Sequence, residues 1–217
     1  MVLFVDRSAL FTAVKDECQR TSHVAFNTAL ARFCAIAELR MWYGSKGPLD
    51  CDPVRVREME TTDTITAASG TAPLPSGFLE AKALEWTGSP RTLPDYMPPA
   101  EFRAKRYTTG SGSPVAYTIE AGNILLSPQV SGDLEMVYYA RPTDLSGDAS
   151  ENDVLHAYPM IYFHGVLIEA YDYLRNDYKK TQAMASYKSA VEAANGQFRQ
   201  SQVSGNALAP VIPGWRV

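Results

Sequence analysis

Cysteine is scarce: Cys18, Cys34 and Cys51 are the only three, and no two stand at C-x-x-C spacing. An odd, scattered set argues against a disulfide framework and reads as buried free thiols. Long hydrophobic runs are missing as well. Nothing approaches the roughly 20 apolar residues that span a bilayer, and Met1-Val-Leu-Phe-Val5 meets Asp6 too soon for a signal peptide. The expectation is a soluble chain with no membrane contact that stays in the cytoplasm of its producing cell. Positive charge is in short supply too, with a formal net charge of −4 and a pI near 5.4. Gripping nucleic acid needs clustered Lys and Arg to displace phosphate counterions, so DNA binding as the main task is disfavoured. The densest basic patch, Arg103, Lys105 and Arg106, sits beside Glu101 and reads as a solvated helix face.

The residues that carry chemistry are sparse. Of three histidines, His156 and His164 stand eight apart with Glu169 five further on, which matches no H-E-x-x-H or other metal-ligand spacing. A polar group satisfied in a helical core is the better reading. There is no G-x-S-x-G elbow, and the Gly110-Ser-Gly-Ser-Pro114 stretch reads as a loop between strands. No phosphate-binding loop ends in Gly-Lys-Ser or Gly-Lys-Thr, and Asp144, Asp148 and Asp153 lack the alternate spacing of a calcium loop. No catalytic residue, metal or cofactor is therefore expected. The enzymatic alternative, a hydrolase using His156 or His164 with Glu169, shows no evident pairing of base and nucleophile.

What the chain does carry is apolar helix. Residues 154–202 hold the richest stretch. From Pro159 to Leu174 nearly every face is apolar, which predicts a central helix surrounded by other elements. Pro159 suits a first helical turn and would break an interior, so 154–158 reads as a short separate turn, capped by Ser150 with Asp153. Asn176-Asp177 invites a bend. Beyond it Met184, Tyr187, Val191, Ala194 and Phe198 recur at spacings of 3, 4, 3 and 4, one narrow stripe of an amphipathic helix whose other faces are charged. At the N-terminus, residues 8–20 and 25–43 read as two more helices. Leu10, Ala13, Val14 and Cys18 fall on one side of the first; Phe26, Leu30, Phe33, Ala37 and Met41, widened by Ile36 and Leu39, on one side of the second. Thr21-Ser-His23 supplies the break and Gly44 the exit.

Between the helical parts, residues 52–141 change to short period-two segments rich in Val, Ile, Thr and Tyr. Strands are expected at 54–59, 64–66, 79–86, 92–93, 115–119, 123–126 and 134–140, with a tight turn at 120–123 and one helical turn at 99–105. Helices, then strands, then helices imply an α+β fold. The expected parts are N-terminal bundle helices at 1–48, an inserted antiparallel β subdomain at 49–145, C-terminal bundle helices at 146–202 and an extended arm at 203–217. The arm ends in Leu208, Val211, Ile212 and Trp215, which a merely solubilising tail would not carry. It reads as docking on another surface, with a tail folded back on its own subunit as the alternative.

The order of landmarks resembles the head-to-tail adaptor (connector) proteins of tailed bacteriophages. The matching pieces are Phe33-Cys-Ala-Ile-Ala-Glu-Leu-Arg40, Pro73-Leu-Pro-Ser-Gly-Phe-Leu-Glu80, Tyr96-Met-Pro-Pro-Ala-Glu-Phe102 and Pro114-Val-Ala-Tyr-Thr-Ile-Glu-Ala-Gly-Asn-Ile-Leu-Leu-Ser-Pro128. Leu134-Glu-Met-Val-Tyr-Tyr139, Asp144-Leu-Ser146, Tyr158-Pro159, Glu169-Ala170, Tyr173-Leu174 and Asn176-Asp177 continue the series. The resemblance implies a structural virion protein at the neck, made in the host bacterial cytoplasm. It implies a homo-oligomeric ring, commonly of twelve copies, that joins the portal to a tail, stopper or nozzle protein and extends the DNA channel without binding DNA specifically. Bundle helices would then make subunit contacts, with Tyr178, Lys188, Glu192 and Arg199 as interface residues. The arm residues Leu208, Val211, Ile212 and Trp215 would engage the portal. A tail or neck component that does not touch the portal is the alternative.

Overall fold

The computed structural model describes residues 3–104 and 112–203. The fold is α+β with helices at both ends of the chain, and its contacts divide it into two units, Glu58–Thr143 and the chain on either side of it.

The helical unit holds α1 (Arg7–Glu17), α2 (Val24–Tyr43), α4 (Asp153–Ala157), α5 (Pro159–Tyr173) and α6 (Asp177–Val203). Local chemistry sets each start. Asp6 accepts from the Ala9 amide at 2.8 Å, His23 Nδ1 from Phe26 at 3.2 Å, and Pro159 opens α5 without an N–H to satisfy. The expected Ser150 cap is instead Asn152, whose side chain accepts from Leu155 N at 2.8 Å and donates to the Tyr162 hydroxyl at 2.8 Å; Ser150 Oγ accepts from Gly147 N. At the expected bend, Arg175 turns left-handed (φ 53) to close α5, and Asn176 caps α6 through Lys179 N at 3.1 Å. α5 is the centre. It buries Ile161, Tyr162, Val166, Ile168 and Tyr171, and α2 and α6 both pack along it but not along each other. Gly165 permits the close approach: a Cβ there would lie 3.2 Å from Ala37 and 3.4 Å from the Tyr187 ring.

Two further sequence expectations change in this unit. Leu39 is half exposed, while its neighbour Glu38 is buried and its carboxylate accepts from the Leu145 amide at 2.9 Å. A buried acid thus holds the chain where it re-enters the helical unit. Residues 49–57, expected in the β part, belong with the helices. Val54 and Val56 are fully buried, Val54 N donates to Met41 O at 2.8 Å, and both polar ends of the Asn195 side chain bond this segment. The apolar alternation at 54–56 therefore serves an extended stretch clamped onto helices, not a strand.

The β unit comprises β1 (Glu60–Ala67), β2 (Thr71–Pro73), β3 (Phe78–Trp86), β4 (Asp95–Tyr96), the short α3 (Pro99–Ala104), β5 (Ala116–Glu120), β6 (Asn123–Ser127) and β7 (Gly132–Ala140). One sheet runs β1-β7-β3 and is antiparallel; the other runs β2-β6-β5-β4, with β4 parallel to β5. Inward residues of both, among them Ile65, Leu84, Trp86, Ile124, Leu134 and Met136, form one apolar core. The two-residue turn between β5 and β6 places Ala121 and Gly122 at positive φ (50° and 76°), as a type I′ turn requires. Thr92, expected in a strand, makes only a single bridge to Trp86.

Candidate functional site

α6 presents the surface that the sequence singles out. Ala183, Tyr187, Val191, Ala194 and Phe198 face inward and are buried; Met184 is half-buried. With that stripe fixed, the outer face is set by helical geometry. Lys188, Glu192 and Arg199 come together around a hollow of about 260 Å³ whose far wall is Asp50, Cys51 and Asp52. A neighbouring hollow of about 510 Å³ shares Asp50 and Lys188 and adds Leu49 and Met184. Tyr178 is not part of either. It stands ten residues, or about 15 Å, along the helix, 75% exposed, its hydroxyl accepting from Gln182 Nε2 at 3.0 Å.

The charges here are mixed and solvated. Lys188 Nζ lies 4.0 Å from Glu192, an exposed pair that contributes little to stability. Lys46 donates to Asp50 at 3.0 Å, and that bond, with the charge behind it, holds the Asp50 carboxyl below the usual range. Burial, then the charges of Asp52 and Glu192, push the Cys51 thiol up, which keeps it protonated and unreactive. Asp50, Asp52 and Asn195 were not picked out from the sequence. No local pattern marks them, because the fold alone brings residues 140 apart into contact.

The residues of the enzymatic alternative lie apart. Glu169 is paired with Arg40. His156 Nε2 lies 3.0 Å from Val5 O and 3.4 Å from Glu151. His164 lines a separate hollow with Glu17, Tyr171 and Lys179, where burial lowers its pKa against the pull of Glu17. In that hollow the Tyr171 hydroxyl donates to Glu17 at 2.9 Å. Neither histidine meets Glu169, so the hydrolase pairing is not made. Of the basic patch, Arg103 is bound to Glu120; Lys105 and Arg106, like Leu208, Val211, Ile212 and Trp215, lie outside the described residues.

A family model described as SU10 adaptor protein matches residues 6–213, from the N-cap of α1 to beyond the end of α6. The chain belongs to the SU10 adaptor protein family. This is a family of phage head-to-tail adaptors, so the chain is a structural component of the virion. No curated protein matches the sequence. Among the described residues no helix of this adaptor is long and apolar enough to cross a membrane, and no three His, Cys, Asp or Glu residues cluster as metal ligands.

Proposed function

We propose that this adaptor assembles as a ring, of about twelve copies as the family resemblance implies, that joins the portal to the tail at the neck and extends the DNA channel. The observation that carries the reading is the family match, which spans both units rather than one. Two features of the chain support it. The outer face of α6 is solvated, leaving Tyr178, Lys188, Glu192 and Arg199 available as one side of a ring contact. The net charge of −4 suits a channel that passes DNA without holding it. In this reading the role is structural, without catalysis. The C-terminal arm, through Leu208, Val211, Ile212 and Trp215, engages the portal, and the β unit meets tail or fibre components.

Electron microscopy of the purified protein mixed with its portal tests the proposal. A ring added at the portal's narrow end is the expected product, and bare portals at saturating adaptor would overturn it. Removing residues 203–217 should abolish docking while the rest of the fold, followed by circular dichroism and Tm, stays intact.

A further inference from the structure

A ring needs two different surfaces on each subunit, because a heterologous contact joins one patch to another and repeats until it closes. The outer face of α6 is one. The second is on α2. A helix on a protein surface ordinarily carries charged and polar residues on its solvent side, and one that is apolar all round is ordinarily buried. α2 breaks this rule. Its inner face buries Phe26, Leu30, Phe33, Ala37 and Met41. Its outer face bears Val24, Thr28, Ala31, Ala35, Leu39 and Tyr43, all exposed, with Val24 at 77%, Leu39 at 50% and Tyr43 at 63%. The ridge runs the length of the helix, about 30 Å. Arg32 is the exposed charge on it, and it makes no ion pair among the described residues.

The outer ridge of α6 has matching relief. Ala185, Ser189, Ala193 and Gly196 are all exposed, and a Cβ built at Gly196 meets nothing within 4 Å. Glu192 stands on this ridge, its nearest cation being Lys188 at 4.0 Å. The two ridges interlock in one register. With α2 of one copy antiparallel to α6 of the next, and Ala35 opposite Ser189, Arg32 falls opposite Glu192. In the same alignment Ala31 meets Ala193, Thr28 meets Gly196 and Leu39 meets Ala185. Small residues face small ones, which allows close approach of two helices, the large Leu39 faces a small one, and the opposite charges of Arg32 and Glu192 come together. Because α2 and α6 pack along α5 and not along each other, one chain cannot make this contact with itself.

We infer that the outer ridge of α2 is the docking surface for α6 of a second copy of this chain, with Arg32 and Glu192 paired across the contact. The inference rests on the ring reading and specifies its two faces.

Paired cysteines test it: Ala35→Cys and Ser189→Cys in one chain, assembled on the portal and oxidised. Both positions are exposed, so folding is retained; the native Cys34 and Cys51 are buried, and the half-buried Cys18 is replaced by Ser in every variant so that it adds no background. The expected result is a ladder of cross-linked multimers on a denaturing gel from the double variant and monomer from each single one. Arg32→Glu should raise the concentration needed for half assembly by about tenfold, and Arg32→Glu with Glu192→Arg should restore it. Rings on the portal without cross-links from the double variant would overturn the inference and leave the ring reading standing. Dimers from Ala35→Cys alone would overturn it in favour of an α2 to α2 contact. Failure of the unsubstituted protein to form rings would sink the reading and the inference together.

Discussion

Replacing Asn195 by Ala should loosen the chain between Pro53 and Arg57 without disturbing α6. The Asn195 side chain accepts from Arg55 N at 2.8 Å and donates to Pro53 O at 3.0 Å, so it supplies two hydrogen bonds to a segment that has no sheet to join. Each is worth about 0.5–1.5 kcal/mol. Against that loss of about 1–3 kcal/mol, Ala is the better helix former by up to about 0.7 kcal/mol. The net destabilisation is about 0.3–3 kcal/mol, which in a chain of this size lowers Tm by about 1–12 °C. Hydrogen exchange read by mass spectrometry should show faster exchange in peptides covering residues 53–57 and unchanged protection across α5. The adjacent Gly196→Ala is the control. Its new methyl meets nothing and adds helix propensity, so Tm should rise by an amount equivalent to up to about 1 kcal/mol. If Asn195→Ala leaves both Tm and exchange at residues 53–57 unaltered, the clamp contributes nothing and the reasoning fails.

Three further perturbations have expected signs. Tyr187→Phe removes a fully buried hydroxyl that finds no hydrogen-bond partner among the described residues, so unfolding in urea should show equal or greater stability, and a clear loss would contradict the assignment. His164 is held neutral by burial, with its pKa below the ordinary 6.5; the stability it contributes is whole above about pH 6.5 and is lost as pH falls from there through the lowered value. A Tm series from pH 7.5 to 5 should therefore fall less steeply for His164→Gln than for the unsubstituted protein. Gly132→Ala would put a methyl 2.4 Å from the Trp86 ring, so the ring must move at a cost of about 1–3 kcal/mol, visible as a shift in Trp86 fluorescence and a lower Tm.

Much of the fold was legible because it follows from local rules. The 3.6 periodicity of α2 and α6, the proline at the start of α5, His23 as a cap and the Ala121-Gly122 turn are each decided within a few residues. What was not legible depends on partners distant in sequence. Leu39 and Glu38 have the same local pattern as any apolar residue beside an acid, and only the return of the chain at Leu145 makes the acid the buried one. Val54 and Val56 alternate as a strand does, yet their partners are Met41 and Asn195. β2 and β4 are three and two residues long, too short for any period to register, and exist because β6 and β5 provide edges. At the candidate site, the charged face of α6 could be read from its sequence, whereas the wall of Asp50 and Asp52 opposite it could not. The outer ridge of α2 was concealed by its own composition, since an apolar residue reads as buried whether its cover is the same chain or another.

The division of the chain also sets an order of events during synthesis. The β unit is continuous, so its sheets can close as soon as β7 leaves the ribosome. The helical unit cannot, because α2 ends at Tyr43 and the helix it packs on begins at Pro159. At translation rates of about 5–20 residues per second, α2 waits on the order of ten seconds for α5, and it waits with apolar residues on both faces. During that interval it is the part of the nascent chain most open to chaperone capture or to premature meeting with another copy. Chains cut short between β7 and α5 should therefore carry a folded β unit beside two adhesive helices, and should aggregate through the helices.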